Sequence, residues 1–445
     1  MPLVDDILRQ RHGDLIRMSD DPKTVVALGA ARLAWSLGKN DPSAPILEEV
    51  LEVRSTTTWL YALCADENGH HVLRRLDPTI GEADREVQFG RVVDWGVSDD
   101  GMVVVETNPG GLLLHTLTPE MTIRSGQRFS GKRGARVLVR GATGWVFFTD
   151  DRARKVNHVS GLPWGEVGKL TVVELDLRAF FVQDVPETSL GEQAQWFVNE
   201  DNRQRRLFDQ DGPTGNEPAS AVGADGCVVV LGRFTGRRSL TGVYRTFTPS
   251  QALCVLAPGG KITTIDRSKP NWLQQVLLYD GKWFISTNVG LEIDAAPDPV
   301  RVVAPRPRGG ALRWVPAGGR MYAVGMDTVV PSRGWAVMLY EADGRVRLLH
   351  HEQRTSLLGH LTSRDKAERP RLLVDGDTLW IAVSGPDGTS RIMHVTPAGV
   401  SEFHRAPGWI EPVAKVPHGL LCLHRPDAEP GDGQAEPADL VRLVV

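Results

Sequence analysis

The chain has 445 residues, 41% of them hydrophobic, and a formal net charge of −4 from 51 basic and 55 acidic side chains. That balance argues against nucleic acid or an anionic membrane as a bulk partner, and no apolar run reaches the ~18 residues that a membrane-spanning helix needs. A chain of this length ordinarily makes two or three domains, unless the fold grows by repetition.

The first forty residues differ from the rest. Val4, Ile7 and Leu8 stand at helical spacing before Gly13. Ser19-Asp20-Asp21-Pro22 offers N-cap oxygens and an early proline to a second helix, which runs from Val25 through Trp35 to Gly38. The pattern predicts a helical segment over residues 1–38 and a linker over 39–45. Asp5 and Asp6 stand where a secretory signal would be basic, so no such signal is expected.

Strand-like text begins at Ile46, and a hairpin keeps returning in it. The copies are Val72–Pro78, Leu114–Pro119, Leu253–Ile262, Val337–Val346 and Ile392–Val400. Each is an apolar strand, a tight turn of Pro, Gly or Asp, and the start of another strand. Asp-Gly and Gly-Gly turns at 225–226, 280–281, 318–319 and 375–376 add further hairpins, because such turns need positive φ. The copies recur at multiples of roughly 40–50 residues, the period of a four-stranded propeller blade. The expected fold is all-β: a β-propeller over 46–445 of about eight four-stranded blades, seven and nine remaining open. The C-terminal strand Leu440–Val445 should close the ring against Ile46–Val53. Near-continuous apolar strands such as Met102–Val105 and Leu379–Val383 should be buried on both faces. Trp59, Trp95, Trp145, Trp196, Trp283, Trp314, Trp380 and Trp409 are read as packing between blades. Cys64, Cys227, Cys254 and Cys422 lie inside apolar strands without disulfide or zinc spacing, which predicts reduced, buried thiols and a cytoplasmic protein.

In a four-stranded meander the first and third turns fall on one side of the disc, and the second turn and the crossover fall on the other. Here the first and third turns are mostly tight. The long insertions, Arg233–Gln251, Ile293–Gly310, Met326–Gly334 and Glu352–Pro370, belong to the other set. One side is therefore trimmed and one elaborated, and binding residues gather on loops held by a rigid scaffold. The insertions carry guanidinium groups and aromatics of the kind that interaction hot spots use. Arg233, Arg237, Arg238, Tyr244, Arg245, Arg306 and Arg308 are the candidate contacts for a protein or peptide partner.

Catalytic patterns are weak. His350-His351-Glu352 and His70-His71 place neighbouring imidazoles on opposite faces of a strand, so neither reads as a metal site. Asp150-Asp151 reads as a solvated turn. Ser98-Asp99-Asp100-Gly101 is similar to the start of a sialidase Asp-box but lacks its tryptophan. Neither a nucleophile elbow nor a phosphate loop is present. No catalytic residue, metal ligand or cofactor is expected. A propeller active site assembled from several blades needs no local motif, so a hydrolase or lyase with a small-molecule site in the central channel stays as the alternative.

Pro2, Val4, Leu8 and the run Asp21-Pro22-Lys23-Thr24-Val25-Val26-Ala27-Leu28-Gly29-Ala30-Ala31 with Ala34 carry a more specific pattern. Residues Pro2 to Leu37 resemble the end of the actin-like ATPase domain of DnaK-type heat-shock chaperones, with Val25 in place of that family's alanine. The family's Gly-Gly-x-x-Arg turn, phosphate loops and metal-binding acids have no counterpart in these residues. The resemblance therefore implies a bacterial propeller associated with a DnaK-like ATPase, as its recognition or regulatory part, with no ATPase activity of its own.

Overall fold

The computed structural model describes residues 45–77, 83–150, 154–156, 165–179, 185, 187–195, 220–223, 226–238, 245–257, 261–267, 273–279, 282–287, 290–293, 301–305, 312–327, 334–341, 345–352, 370–385, 388–416, 419–428 and 437–444. The expected helical segment, the linker apart from Pro45, and Trp196 lie outside them.

The strands form six hydrogen-bonded sheets and divide into eight units in chain order, because one sheet spans the third and fourth units and another the eighth and first. Blade one takes β1 (Leu47–Ser55), β2 (Leu60–Ala65), β3 (His71–Leu76) and β4 (Ala83–Phe89). Blade two takes β5 (Val92–Ser98), β6 (Gly101–Asn108), β7 (Gly111–Leu117) and β8 (Ile123–Ser130). Blade three takes β9 (Lys132–Arg140) and β10 (Thr143–Asp150), then a short β11 (Arg154–Val156) paired with β12 (Gly165–Asp176), and finally β13 (Thr188–Gln195). Blade four takes β14 (Ser220–Gly223), β15 (Gly226–Arg238), β16 (Arg245–Ala257) and β17 (Lys261–Arg267). Blade five takes β18 (Leu273–Tyr279), β19 (Lys282–Thr287), β20 (Gly290–Ile293) and β21 (Arg301–Pro305). Blade six takes β22 (Leu312–Ala317), β23 (Arg320–Asp327), β24 (Gly334–Tyr340) and β25 (Val346–Glu352). Blade seven takes β26 (Arg371–Asp375), β27 (Thr378–Ser384), β28 (Thr389–Thr396) and β29 (Gly399–Pro407). Blade eight takes β30 (Trp409–Val416), β31 (Gly419–Arg425) and β32 (Ala438–Val444).

The first strands touch in sequence: β1 with β5, β5 with β9, β9 with β14, β14 with β18, β18 with β22, β22 with β26, β26 with β30, and β30 with β1. That cycle is a closed ring of eight innermost strands, which defines a propeller. Hydrogen bonds close it where the sequence predicted. β1 pairs with β32 through Leu47↔Leu440 and Val50↔Ala438, and with β2 from Val50↔Cys64 to Ser55↔Leu60. The changeover falls at a ladder irregularity beside Glu49, whose φ is 58°. One strand thus serves the last blade and the first, and neither leaves an open edge there.

The core lies between blades, and side-chain alternation divides it. On β6, Met102 and Val104 pack towards Tyr61 and Leu63 of blade one, while Val103 and Val105 join Val137, Val146 and Phe148 of blade three. On β27, Leu379, Ile381 and Val383 face blade six, and Trp380 and Ala382 face blade eight. Both faces of such a strand are dry, so its sequence reads as an unbroken apolar run. Trp95, Trp145, Trp314, Trp380 and Trp409 are buried, as packing between blades requires. Cys64 and Cys422 are buried free thiols; burial pushes Cys64 up to about 11 and raises Cys422. Among the described residues no helix is long and apolar enough to cross a membrane.

Polar groups join neighbouring blades through their tight turns. Tyr61 Oη donates to the Pro119 carbonyl at 3.0 Å, and Arg347 Nη2 donates to the Pro397 carbonyl at 2.8 Å. Arg124 does the same to the Leu177 carbonyl, and the charge of Asp77 acts on Arg442 across the blade eight to blade one boundary. In each case the acceptor or counter-charge sits at the third turn of the following blade. The first turns are tied as well. Asp99 accepts from the Thr57 amide (3.0 Å) and hydroxyl (2.8 Å), Asp100 pairs with Arg178 at 2.9 Å, and the Gly318 amide donates to the Gly376 carbonyl at 3.1 Å.

Nearer the axis, Asp94 on β5 joins three blades. It accepts from Arg54 Nη2 (3.1 Å) and from the Val137 amide (2.8 Å), and lies 3.6 Å from Arg136 Nε. On the other side of the disc, Glu352 of blade six accepts two 2.7 Å contacts from Arg391 Nη2 of blade seven and one of 3.2 Å from Trp335 Nε1. The crossover from blade seven to blade eight is the single residue Gly408, with φ of 71°. A Cβ there would lie 2.1 Å from the Arg425 carbonyl oxygen, so only glycine fits.

Two stability predictions follow from these links. Replacing Asp94 with Ala leaves two guanidinium groups without their shared carboxylate and should lower the unfolding free energy by about 3 kcal/mol, with Asp94→Asn retaining part of it. Equal denaturation midpoints for wild type and Asp94→Ala would contradict the bridging role. Burial raises the Glu352 carboxyl, but its hydrogen bonds and the Arg391 charge outweigh that and hold it below the usual range. The stabilisation is therefore full above the unfolded carboxyl value of about 4.3 and is lost as pH falls through the folded value. The midpoint gap between wild type and Glu352→Gln should shrink as pH falls below that value; a gap constant with pH would oppose it.

Candidate functional site

The connections confirm unequal sides. On one side the turns at 99–100, 141–142, 224–225, 280–281, 318–319, 376–377, 397–398 and 417–418 are short, and many belong to the ties described above, while the third turn of blade three, 177–187, is a longer exception. On the other side lie 151–164, which β11 interrupts, and 196–219, 353–370 and 426–437. The elaboration belongs to blades three to eight, since blades one and two are joined by short segments at both ends. One expectation is corrected. Ile293–Gly310 is not a single insertion: β21 divides it, and its part 294–300 is a third turn on the trimmed side.

A second correction concerns Arg233–Gln251, expected as a loop. It is mostly a two-stranded ribbon, in which β15 and β16 pair without interruption from Cys227↔Leu256 to Arg238↔Arg245. β17 accompanies β16 only as far as Gln251, and β13 meets β15 at Gly232 and Arg233. Past those points, among the described residues, β15 and β16 have only each other as ladder partners. Pro249 lies in this outer part, where a strand with one neighbour tolerates a missing amide. The structure brings Arg233, Arg237, Arg238 and Arg245 onto this one ribbon, on the elaborated side. Tyr244, Arg306 and Arg308 lie outside the described residues, in connections 239–244 and 306–311 that leave the same side.

A second cluster lies where β26 and β30 begin. The guanidinium carbons of Arg371 and Arg425 stand 4.9 and 4.4 Å from the centre of the Trp409 ring, and all three residues are buried. Arg371 Nη2 donates to Ser384 Oγ at 2.9 Å, Ser384 and Ser390 share a 2.9 Å contact, and Ser390 donates to the Gly408 carbonyl at 2.7 Å. This relay ends on a main-chain carbonyl, so it orients a guanidinium. It is not the hydroxyl–imidazole pair of nucleophilic catalysis. No sequence motif marked the cluster, because its members are joined only by the return of the chain through two blades.

The remaining sequence candidates have structural partners. His350 packs against Trp335 with ring centres 4.5 Å apart and the rings tilted by 37°, and burial lowers its pKa. His71 Nδ1 accepts from the Val92 amide at 3.2 Å, joining blades one and two. Ser98 donates to the Gly141 carbonyl at 2.6 Å, so the Asp-box-like turn serves the ties between blades. Asp150 ends β10 opposite Lys132 in the ladder, and Asp151 lies outside the described residues. Among the described residues, no group of three His, Cys, Asp or Glu is placed to hold a metal ion.

No protein-family model matches the chain, and no curated protein matches it. Solved structures do. A prolyl endopeptidase aligns over 92% of this chain and 61% of its own, with 11% identity and a TM-score of 0.49. The WD40 domain of SCAP from fission yeast aligns over 90% and 97%, with 7% identity and a TM-score of 0.44. The β-propeller domain of the Trilobed protease from Pyrococcus furiosus aligns over 70% and 86%, with 9% identity and a TM-score of 0.39. The chain thus spans less than two thirds of the prolyl endopeptidase, and the eight-blade assignment rests on its own strand order.

Proposed function

We propose that this chain is a non-catalytic propeller that docks a protein or peptide on its elaborated side. The observation that carries this reading is the contrast between the two sides. One is short-turned and tied blade to blade, while the other carries the long connections and an arginine-bearing ribbon. A scaffold fixed in advance loses little ordering entropy when its displayed segments bind.

Among the described residues of the innermost strands, Glu52, Arg54, Asp94 and Arg136 bind one another, which supports docking over chemistry at that part of the channel. The resemblance of residues 2–37 to the end of a DnaK-type ATPase domain supports such an ATPase as the functional companion. The buried free thiols Cys64 and Cys422 suit a reducing cytoplasm.

The test is capture from native cytoplasm with the purified chain as bait. Replacing Arg237 and Arg238 together with Ala should reduce the yield of specific partners by roughly tenfold without moving the thermal midpoint. Equal yields from both baits would reject the assignment, and no DnaK-type ATPase in the eluate would reject that companion.

A further inference from the structure

Blade eight has three strands of its own, and the head of β1, from Leu47 to Val50, takes the fourth place. Outermost strands of other blades are held along their length. β8 pairs with β7 from Gly111↔Ser130 to Leu117↔Ile123, and β29 pairs with β28 from Thr389↔Pro407 to Thr396↔Gly399. The head of β1 is held to β32 by two register pairs, Leu47↔Leu440 and Val50↔Ala438, with an irregularity between them. The Ile46 amide adds one bond to the Leu440 carbonyl at 2.7 Å. The ladder to β2 begins at Val50 and continues to Ser55↔Leu60, so the rest of β1 is anchored without help from blade eight.

The head also carries strain and little packing. Glu49 has a φ of 58°, where the Cβ of an L-residue crowds the following carbonyl. Glu48 and Glu49 are exposed, and Ile46 and Leu47 are half-buried. Directly behind them Val50 is fully buried, as is Leu440 of β32. A segment with few buried apolar contacts opens at a lower free energy than the whole fold, and strained residues gather at switch regions.

We propose that residues 46–49 form a latch that lifts from β32 as a unit, hinged at Val50, and opens the strand seam between blades eight and one while both blades stay folded. What remains across the seam is the apolar core, in which Trp409, Leu421 and Leu423 of blade eight join Leu60, Ala62 and Leu76 of blade one. The charge of Asp77 on Arg442 remains as well. Lifting bares the edge of β32 at Ala438 to Leu440. β1 runs from the latch to its first turn at 56–59 on the trimmed side, so the bared edge faces the elaborated side. A bared strand edge is a template for pairing, and the latch decides when β32 presents one. This inference stands apart from the docking reading.

The test is amide hydrogen exchange on the full chain, read from overlapping peptides as protection at 46–49 and at 52–55. Wild type is compared with Glu49→Gly, Glu49→Gln and Glu49→Val. The side chain is exposed, so these substitutions act through the backbone, and Gln removes the charge while keeping the conformational preference. In wild type, protection at 46–49 should be at least about tenfold lower than at 52–55. Glu49→Gly should raise protection at 46–49 roughly threefold, Glu49→Val should lower it roughly tenfold, and Glu49→Gln should match wild type, with 52–55 unmoved in each. If Glu49→Val does not fold, the Gly and Gln variants carry the test alone. Equal protection of the two segments in wild type would show that the head opens only with the whole blade, and would overturn the inference. So would a Gly variant that leaves 46–49 unchanged or moves both segments together, or a Gln variant that moves 46–49 as far as Gly does.

Discussion

Apolar sheets stacked face to face slide readily, because burial and dispersion have little direction. What fixes the angle between blades here is a polar group from one blade reaching a turn of the next. Arg347 reaches the Pro397 carbonyl, Tyr61 the Pro119 carbonyl and Arg124 the Leu177 carbonyl. These bonds have length and angle, so they set a register that the cores between blades then fill. They also consume the surface they cross. A turn whose carbonyls and carboxylates already bind the neighbouring blade has few groups left for a ligand.

Ring closure depends on the same economy of strand edges. β1 turns from β32 to β2 at a ladder irregularity beside Glu49, and one strand thereby completes two blades. Asp94 and the Glu352–Arg391 pair act across blades in the way the turns do, with charge in place of carbonyl acceptors. Gly408 allows the shortest crossover only because a main-chain oxygen occupies the space a side chain would need. Closure, inter-blade pairing and the short crossover all fix one blade against the next.

Much of this was legible in the sequence, for a physical reason. The recurring strand–Pro turn was visible because its prolines and threonines sit at a third turn; at Pro119 and Pro397 that turn is a tie point to the preceding blade. Unbroken apolar runs such as Met102–Val105 marked strands dry on both faces. Arg233–Gln251 was misread as a loop because arginine, threonine, glycine and proline give no apolar alternation there, although the backbone pairs throughout. β21 was missed within Ile293–Gly310 for a similar cause: five residues between proline-rich flanks are too few for a period to show. The Arg371–Trp409–Arg425 cluster lay beyond reach, since each residue is ordinary in its own strand and the arrangement arises only when two blades meet.

The misread ribbon bears most on function. A loop would leave its arginines without fixed backbone positions, whereas strands paired in register set Arg238 opposite Arg245. The ribbon grows from a scaffold whose other side is fastened blade to blade, so its backbone is positioned in advance. Residues displayed on paired strands lose less conformational freedom when they bind than the same residues on a loop would, and that advantage holds only while the scaffold beneath them is itself fixed.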